Sequence, residues 1–196
     1  MVAVCTAMVA MAFGAVGTVA VFLEPLAAEF GWPRADVSAA YSVATVATGL
    51  GGIAMGYFAD RMPVRRVVLF GALVPGLAFI FLSGMQSTTE LYVLHALMGL
   101  VGIGAIMAPL NSLSSQWLAR NPALAIGIVS AGGAAGQGLI PYLARTLIVT
   151  EGWRQAYLHL GLLFIAVMVP LALLLRNAPR SSTQVRAGSA TSSVMS

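Results

Sequence analysis

Six apolar stretches joined by short polar segments leave this chain few ways to fold. They run Val2–Leu23, Val37–Phe58, Val67–Met85, Leu91–Trp117, Ala123–Val149 and Ala156–Leu175. At about 1.5 Å of helix rise per residue, even the third and shortest approaches the ~30 Å hydrocarbon core of a bilayer. Charged residues make up 8% of the chain and hydrophobic ones 59%, whereas soluble domains carry about 25% charge. Such a chain cannot cover a water-exposed surface, so its main solvent is lipid. The expected fold is an all-α membrane protein of six transmembrane helices.

Helix-start signals support the divisions. Ser87-Thr-Thr-Glu90 reads as a capping box, and Asn121-Pro122 as a cap followed by proline at the first helical position. The first stretch lacks a basic leader and is longer than a signal-peptide core, so it reads as a retained span.

The net charge of +4 would fit a nucleic-acid partner in a soluble protein. Here the arginines fall mainly in short loops, which assigns them to membrane topology and not to nucleic acid. With both termini inside, Arg61, Arg65, Arg66, Arg120, Arg176, Arg180 and Arg186 are cytoplasmic. Arg34, Arg154 and Arg145 lie at or near the outer face. That asymmetry predicts a multi-pass protein of the cell (inner) membrane with cytoplasmic termini. Residues 177–196, rich in Ser, Thr, Ala and Gly, read as a flexible cytoplasmic tail following a bundle at 1–176. The single cysteine, Cys5, excludes an internal disulfide.

Small residues at helical spacing mark where helices approach closely in lipid. Span 1 has Gly14 and Gly17, span 2 Gly49, Gly52 and Gly56, span 4 Gly99 and Gly102, and span 5 Gly127 and Gly138. On this basis spans 1, 2, 4 and 5 form the core and spans 3 and 6 face lipid. The equivalence of spans 1 and 4, 2 and 5, 3 and 6 predicts a 3+3 inverted repeat.

The densest charge lies in the cytoplasmic loop Gly56-Tyr-Phe-Ala-Asp60-Arg61-Met-Pro-Val-Arg65-Arg66. It resembles the G-x-x-x-D-R-x-G-x-R-R signature of the major facilitator superfamily of secondary transporters, in the same place between the second and third helices. Pro63 stands where that signature has its second glycine, which leaves the turn geometry open. The segment from Phe22 through Glu29-Phe-Gly-Trp32 to Arg34, with Gly152-Trp153-Arg154, is similar to the oxalate/formate antiporter and monocarboxylate transporter branch. His95-x-x-x-Gly99 falls where many members have R-x-x-x-G.

The resemblance implies one major-facilitator-type bundle that binds no cofactor or metal. It also implies a gate: Gly56, Asp60, Arg61, Arg65 and Arg66 would latch this bundle to a second one. The alternative use of these arginines is topology alone. The tail resembles the start of a central interdomain loop. The implied cargo is a small organic anion such as a monocarboxylate, moved by alternating access with a coupling proton or counter-anion. The implied partners are the bilayer and a second six-helix bundle, either a C-terminal half or another copy.

Candidate cavity residues are His95, Gln137, Arg145, Tyr142, Thr18 and Thr48. Interhelical hydrogen bonding is the plainer role for His95 and Gln137, and snorkelling to the interface for Arg145. His159 reads as structural. An intramembrane serine protease would need a Gly-x-Ser nucleophile in span 4, which is missing, so the chain is not expected to be an enzyme. A non-transporting membrane partner is the remaining alternative; it leaves the Asp60–Arg66 loop without a use.

Overall fold

A computed structural model describes residues 1–117 and 121–175. Arg120, the tail at 177–196 and Arg176, Arg180 and Arg186 of the charge asymmetry lie outside the described residues. Six helices are long and apolar enough to cross a membrane: Val2–Phe30, Arg34–Ala59, Arg65–Leu82, Thr88–Met107, Ala123–Glu151 and Trp153–Leu174. Span 1 joins α1 (Val2–Gly17) and α2 (Val19–Phe30), spans 2 and 3 are α3 (Arg34–Arg61) and α4 (Val64–Leu82). Span 4 runs from α5 (Thr88–Leu97) through a π-helical turn (Met98–Ile103) into α6 (Gly104–Trp117). Spans 5 and 6 are α7 (Pro122–Glu151) and α8 (Trp153–Leu174).

Span 1 continues past Leu23 because Pro25 only interrupts one hydrogen bond, and the helix stops at Gly31, whose φ of +67° suits glycine. Ser87 caps α5 as expected, accepting from the Glu90 amide at 3.2 Å, but Glu90 reaches back to the Gln86 amide at 2.8 Å. Pro122 opens α7 as expected; the Asn121 side chain makes no capping bond.

The spans pair 1 with 5, 2 with 4 and 3 with 6. Close glycine contacts reveal how. A Cβ added at Gly136 of span 5 would lie 1.9 Å from the Ala10 carbonyl oxygen of span 1. One added at Gly51 of span 2 would lie 2.0 Å from the Leu100 carbonyl oxygen of span 4. Exchanging 1 with 4 and 2 with 5 turns one contact into the other. The third pair maps onto itself: a Cβ at Gly76 would meet the Gly161 carbonyl oxygen at 3.1 Å, and one at Gly161 the Gly76 carbonyl oxygen at 2.7 Å. This reciprocity is the pseudo-twofold of a 3+3 repeat, with spans 3 and 6 beside its axis.

Two expectations are corrected. Spans 3 and 6 are not merely lipid-facing: Phe79, Leu82, Tyr157, Phe164 and Met168 on them are fully buried. Phe79 and Phe164 meet edge to face at 5.1 Å, and Tyr157 stacks on Phe22 of span 1 at 3.6 Å. Spans 2 and 5 are instead the more exposed members. Their small-residue stripes do not mark the packing within this bundle, since Cβ atoms added at Gly49, Gly52, Gly56, Gly127 or Gly138 would meet nothing within 4 Å. The packing falls to a neighbouring stripe on each helix, Ala40, Ala44 and Gly51 on span 2 and Gly132, Gly133 and Gly136 on span 5. Gly14, Gly17, Gly99 and Gly102 do lie against neighbouring spans, with added Cβ atoms at 2.4, 3.2, 2.3 and 2.8 Å from the nearest atom.

Candidate functional site

The turn between spans 2 and 3 is only two residues long. Met62 is extended (φ −119°) and Pro63 follows at φ −54°, ψ 125° as the cap of α4. Nothing in the turn needs a positive φ, so proline serves where the signature has glycine. Asp60 and Arg61 fall in the last turn of α3. The Arg61 guanidinium lies 3.4 Å above the Tyr57 ring and donates to the Tyr57 carbonyl oxygen at 3.3 Å. Arg65 and Arg66 are exposed in the first turn of α4. Cations there oppose the helix dipole, so they do not stabilise α4 itself. Gly56 lies one turn above, uncovered.

A cleft of about 320 Å³ opens between spans 1, 4 and 5. Val9 and Phe13 come from span 1, Met107 from span 4, and Val129, Ser130, Gly133, Ala134 and Gln137 from span 5. Ser130 and Gln137 are seven residues apart, two helical turns, and so share one face. The glycine at 133 fits closely: a Cβ there would stand 3.0 Å from Phe13 Cδ2 and 3.3 Å from Val9 Cγ1, so those side chains would have to give by a few tenths of an ångström. Among the described residues, no charged side chain lines the cleft. Two other clefts lie on the flank formed by spans 3 and 4, one near Glu90 and one bordered only by apolar residues.

Of the sequence candidates, only Gln137 lines the central cleft. Tyr142 and Arg145 follow it on the exposed side of span 5. Thr18 is fully buried at the junction of α1 and α2, its hydroxyl donating to the Ala15 carbonyl at 2.6 Å. Thr48 donates to the Ala44 carbonyl at 2.8 Å, beside the close contact of Gly99. His95 is buried one turn before the π-helical segment; Nδ1 lies 2.8 Å from the Leu91 carbonyl oxygen, and Nε2 has no hydrogen-bond partner. Among the described residues, no three His, Cys, Asp or Glu side chains gather as a metal site would require.

Phe13, Met107 and Ser130 were not singled out in the sequence. The available signal was the seven-residue step from Gln137 back to Ser130; nothing local marks Phe13 or Met107. A clamp at the opposite end of the bundle from that turn was also missed. The Glu29 carboxylate at the end of α2 accepts from Trp153 Nε1 and from Arg154, both in the first turn of α8. Phe30 stacks on Trp32 at 4.3 Å and meets Trp153 edge-on at 5.8 Å, while the carboxylate itself stays exposed. His159 pairs with Glu151 at 2.9 Å nearby.

Comparison with known proteins gives this geometry its context. The chain is 31% identical to the gallate transporter of Pseudomonas putida over 81% of its own length and 36% of that protein's. It is 25% identical to the oxalate:formate antiporter of Oxalobacter formigenes, over 79% and 37%. With human monocarboxylate transporter 11 the identity is 29%, over 58% and 25%. The chain thus spans just over a third of the length of the first two. The family model for the Major Facilitator Superfamily matches residues 2–196, and with six apolar helices among the described residues in an inverted 3+3 arrangement, this chain belongs to that family of membrane transporters.

Proposed function

We propose that this bundle is one half of a secondary transporter that carries a small organic anion by alternating access, working against a second six-helix bundle. The observation that carries the reading is the uncovered small-residue faces of spans 2 and 5. In lipid, glycines are useful where another helix comes close, yet Gly49, Gly52, Gly127 and Gly138 meet nothing in this bundle. These faces are equivalent under the pseudo-twofold, and the central cleft lies beside the one on span 5. A second bundle seated across both would roof the cleft and place it near the midplane, where such carriers bind their cargo.

The cytoplasmic turn fits the same scheme. Gly56 continues the open stripe of span 2 toward Asp60, Arg61, Arg65 and Arg66, so a helix lying along that stripe ends against charged groups. The organic-anion class is supported by the relatives named for gallate, oxalate and formate, and monocarboxylate. His95, buried with one free nitrogen, is the candidate for proton coupling; Arg145 and Tyr142 are candidates for the outer approach to the cleft. The arginine asymmetry of the loops supports both termini lying in the cytoplasm.

The test is counterflow in proteoliposomes, using the native product that contains this chain. Preloaded unlabelled gallate, oxalate or lactate is expected to accelerate entry of the same labelled anion. Introducing tryptophan at Gly49 or Gly138 is expected to abolish this while leaving the bundle folded. Absence of counterflow with every anion class would refute the reading.

A further inference from the structure

The central cleft has a chemical character that restricts which organic anions it can take. Spans 1 and 4 line it with the apolar side chains of Val9, Phe13 and Met107, and span 5 adds Val129 and Ala134. Among the described residues its polar side chains are neutral, Ser130 and Gln137, about 10.5 Å apart along the span-5 axis by helix rise. A carboxylate buried without a positive partner is strongly disfavoured. The charged end of an anion therefore does not sit against this wall.

The volume points the same way. At about 320 Å³ the cleft is roughly twice the ~150 Å³ apolar cavity that suffices for benzene. Two-carbon diacids would leave most of it empty and would present charge to every wall. A flat ring takes up about half of it, with the Phe13 ring and the Met107 thioether as stacking and edge partners. Gly133 keeps Phe13 in place, because any side chain there presses on its ring edge.

We infer that this cleft receives the uncharged body of a ring-bearing carboxylate, with Phe13 and Met107 gripping the ring and Gln137 or Ser130 bonding a neutral hydroxyl substituent. The carboxylate projects out of the open side. The inference rests on the transport reading above and deepens it by naming the substrate class.

The experiment compares counterflow of labelled 4-hydroxybenzoate, benzoate, acetate and oxalate by the native product in proteoliposomes. Ring acids are expected to be carried with at least about tenfold higher kcat/KM than acetate or oxalate, a ratio within reach of an apolar pocket. Phe13→Ala is expected to raise the KM for benzoate about tenfold or more. Phe13→Leu is a milder replacement should the first variant fold poorly. Gln137→Leu is expected to remove a preference of about three- to tenfold for 4-hydroxybenzoate over benzoate; Gln137→Asn is expected to retain part of it. Efficient counterflow of acetate or oxalate with weak ring-acid counterflow would overturn the inference and leave the transport reading standing. Counterflow of none of the anions would overturn both.

Discussion

Replacing Gly136 by alanine tests the pairing of spans 1 and 5 on which the cleft depends. The new Cβ would stand 1.9 Å from the Ala10 carbonyl oxygen, 2.5 Å from its carbon and 2.6 Å from its Cα. These are backbone atoms, so no side-chain rotation relieves the clash. Span 1 must retreat by more than about 1 Å to bring the nearest contact to even 3 Å. Interiors pack too densely for such a shift to stay local. Gly14 of span 1, whose added Cβ would be 2.8 Å from the Gly136 carbonyl oxygen, is displaced with it. Overpacking of this kind costs about 1–3 kcal/mol, and more where the backbone must move. The control is Gly138→Ala, two residues on, where an added Cβ meets nothing within 4 Å; within this bundle it is expected to cost under about 0.5 kcal/mol. Thermal unfolding of the purified protein in detergent, followed by size-exclusion chromatography, measures both. A midpoint for Gly136→Ala equal to that of the unsubstituted protein would refute the assigned pairing.

Three further outcomes follow from the same geometry. Gly51→Ala is expected to destabilise by about the same 1–3 kcal/mol as Gly136→Ala, because the pseudo-twofold exchanges their contacts; a neutral result in the same melting assay would break the symmetry argument. Trp153→Phe keeps the ring but deletes the donor to Glu29, and a loss of about 1.5 kcal/mol is expected, against a smaller loss of under about 1 kcal/mol for the more exposed Arg154→Met. Ser87→Ala removes the α5 cap and is expected to cost about 1 kcal/mol, visible as faster amide exchange over 88–91 with the rest of the chain unchanged.

The membrane class, the six spans and the capping box were legible because they rest on local sequence. Hydropathy over a helix length and a serine three residues before a glutamate need no tertiary information. The family was legible for the same reason: Gly56, Asp60, Arg61, Arg65 and Arg66 lie in one contiguous loop. Which small residues pack inward was not legible, and the cause is geometric. Span 2 carries two small stripes side by side, Ala40-Ala44-Gly51 and Thr45-Gly49-Gly52-Gly56. Composition alone does not say which stripe meets span 4 and which is left uncovered; that depends on the rotation of the helix in the bundle. The same ambiguity on span 5 concealed Gly133 and Gly136 behind Gly127 and Gly138. The cleft was half legible, since its polar residues lie on one helix, whereas Phe13 and Met107 reach it from two others. The Glu29 clamp joins residues more than 120 positions apart, a contact that only the packing of span 1 against span 6 creates.

The central claim is that the open stripes of spans 2 and 5 are covered by a second six-helix bundle. Photo-crosslinking amino acids placed one at a time at Gly49 and Gly138 of the native product, in its own membrane, test this directly, with Phe81 on the exposed flank of span 3 as control. The account expects peptide adducts at both glycine positions, mapped by mass spectrometry to apolar helices outside residues 1–175 or to a second copy of the chain, and lipid adducts at Phe81. Lipid adducts alone at Gly49 and Gly138 would contradict it.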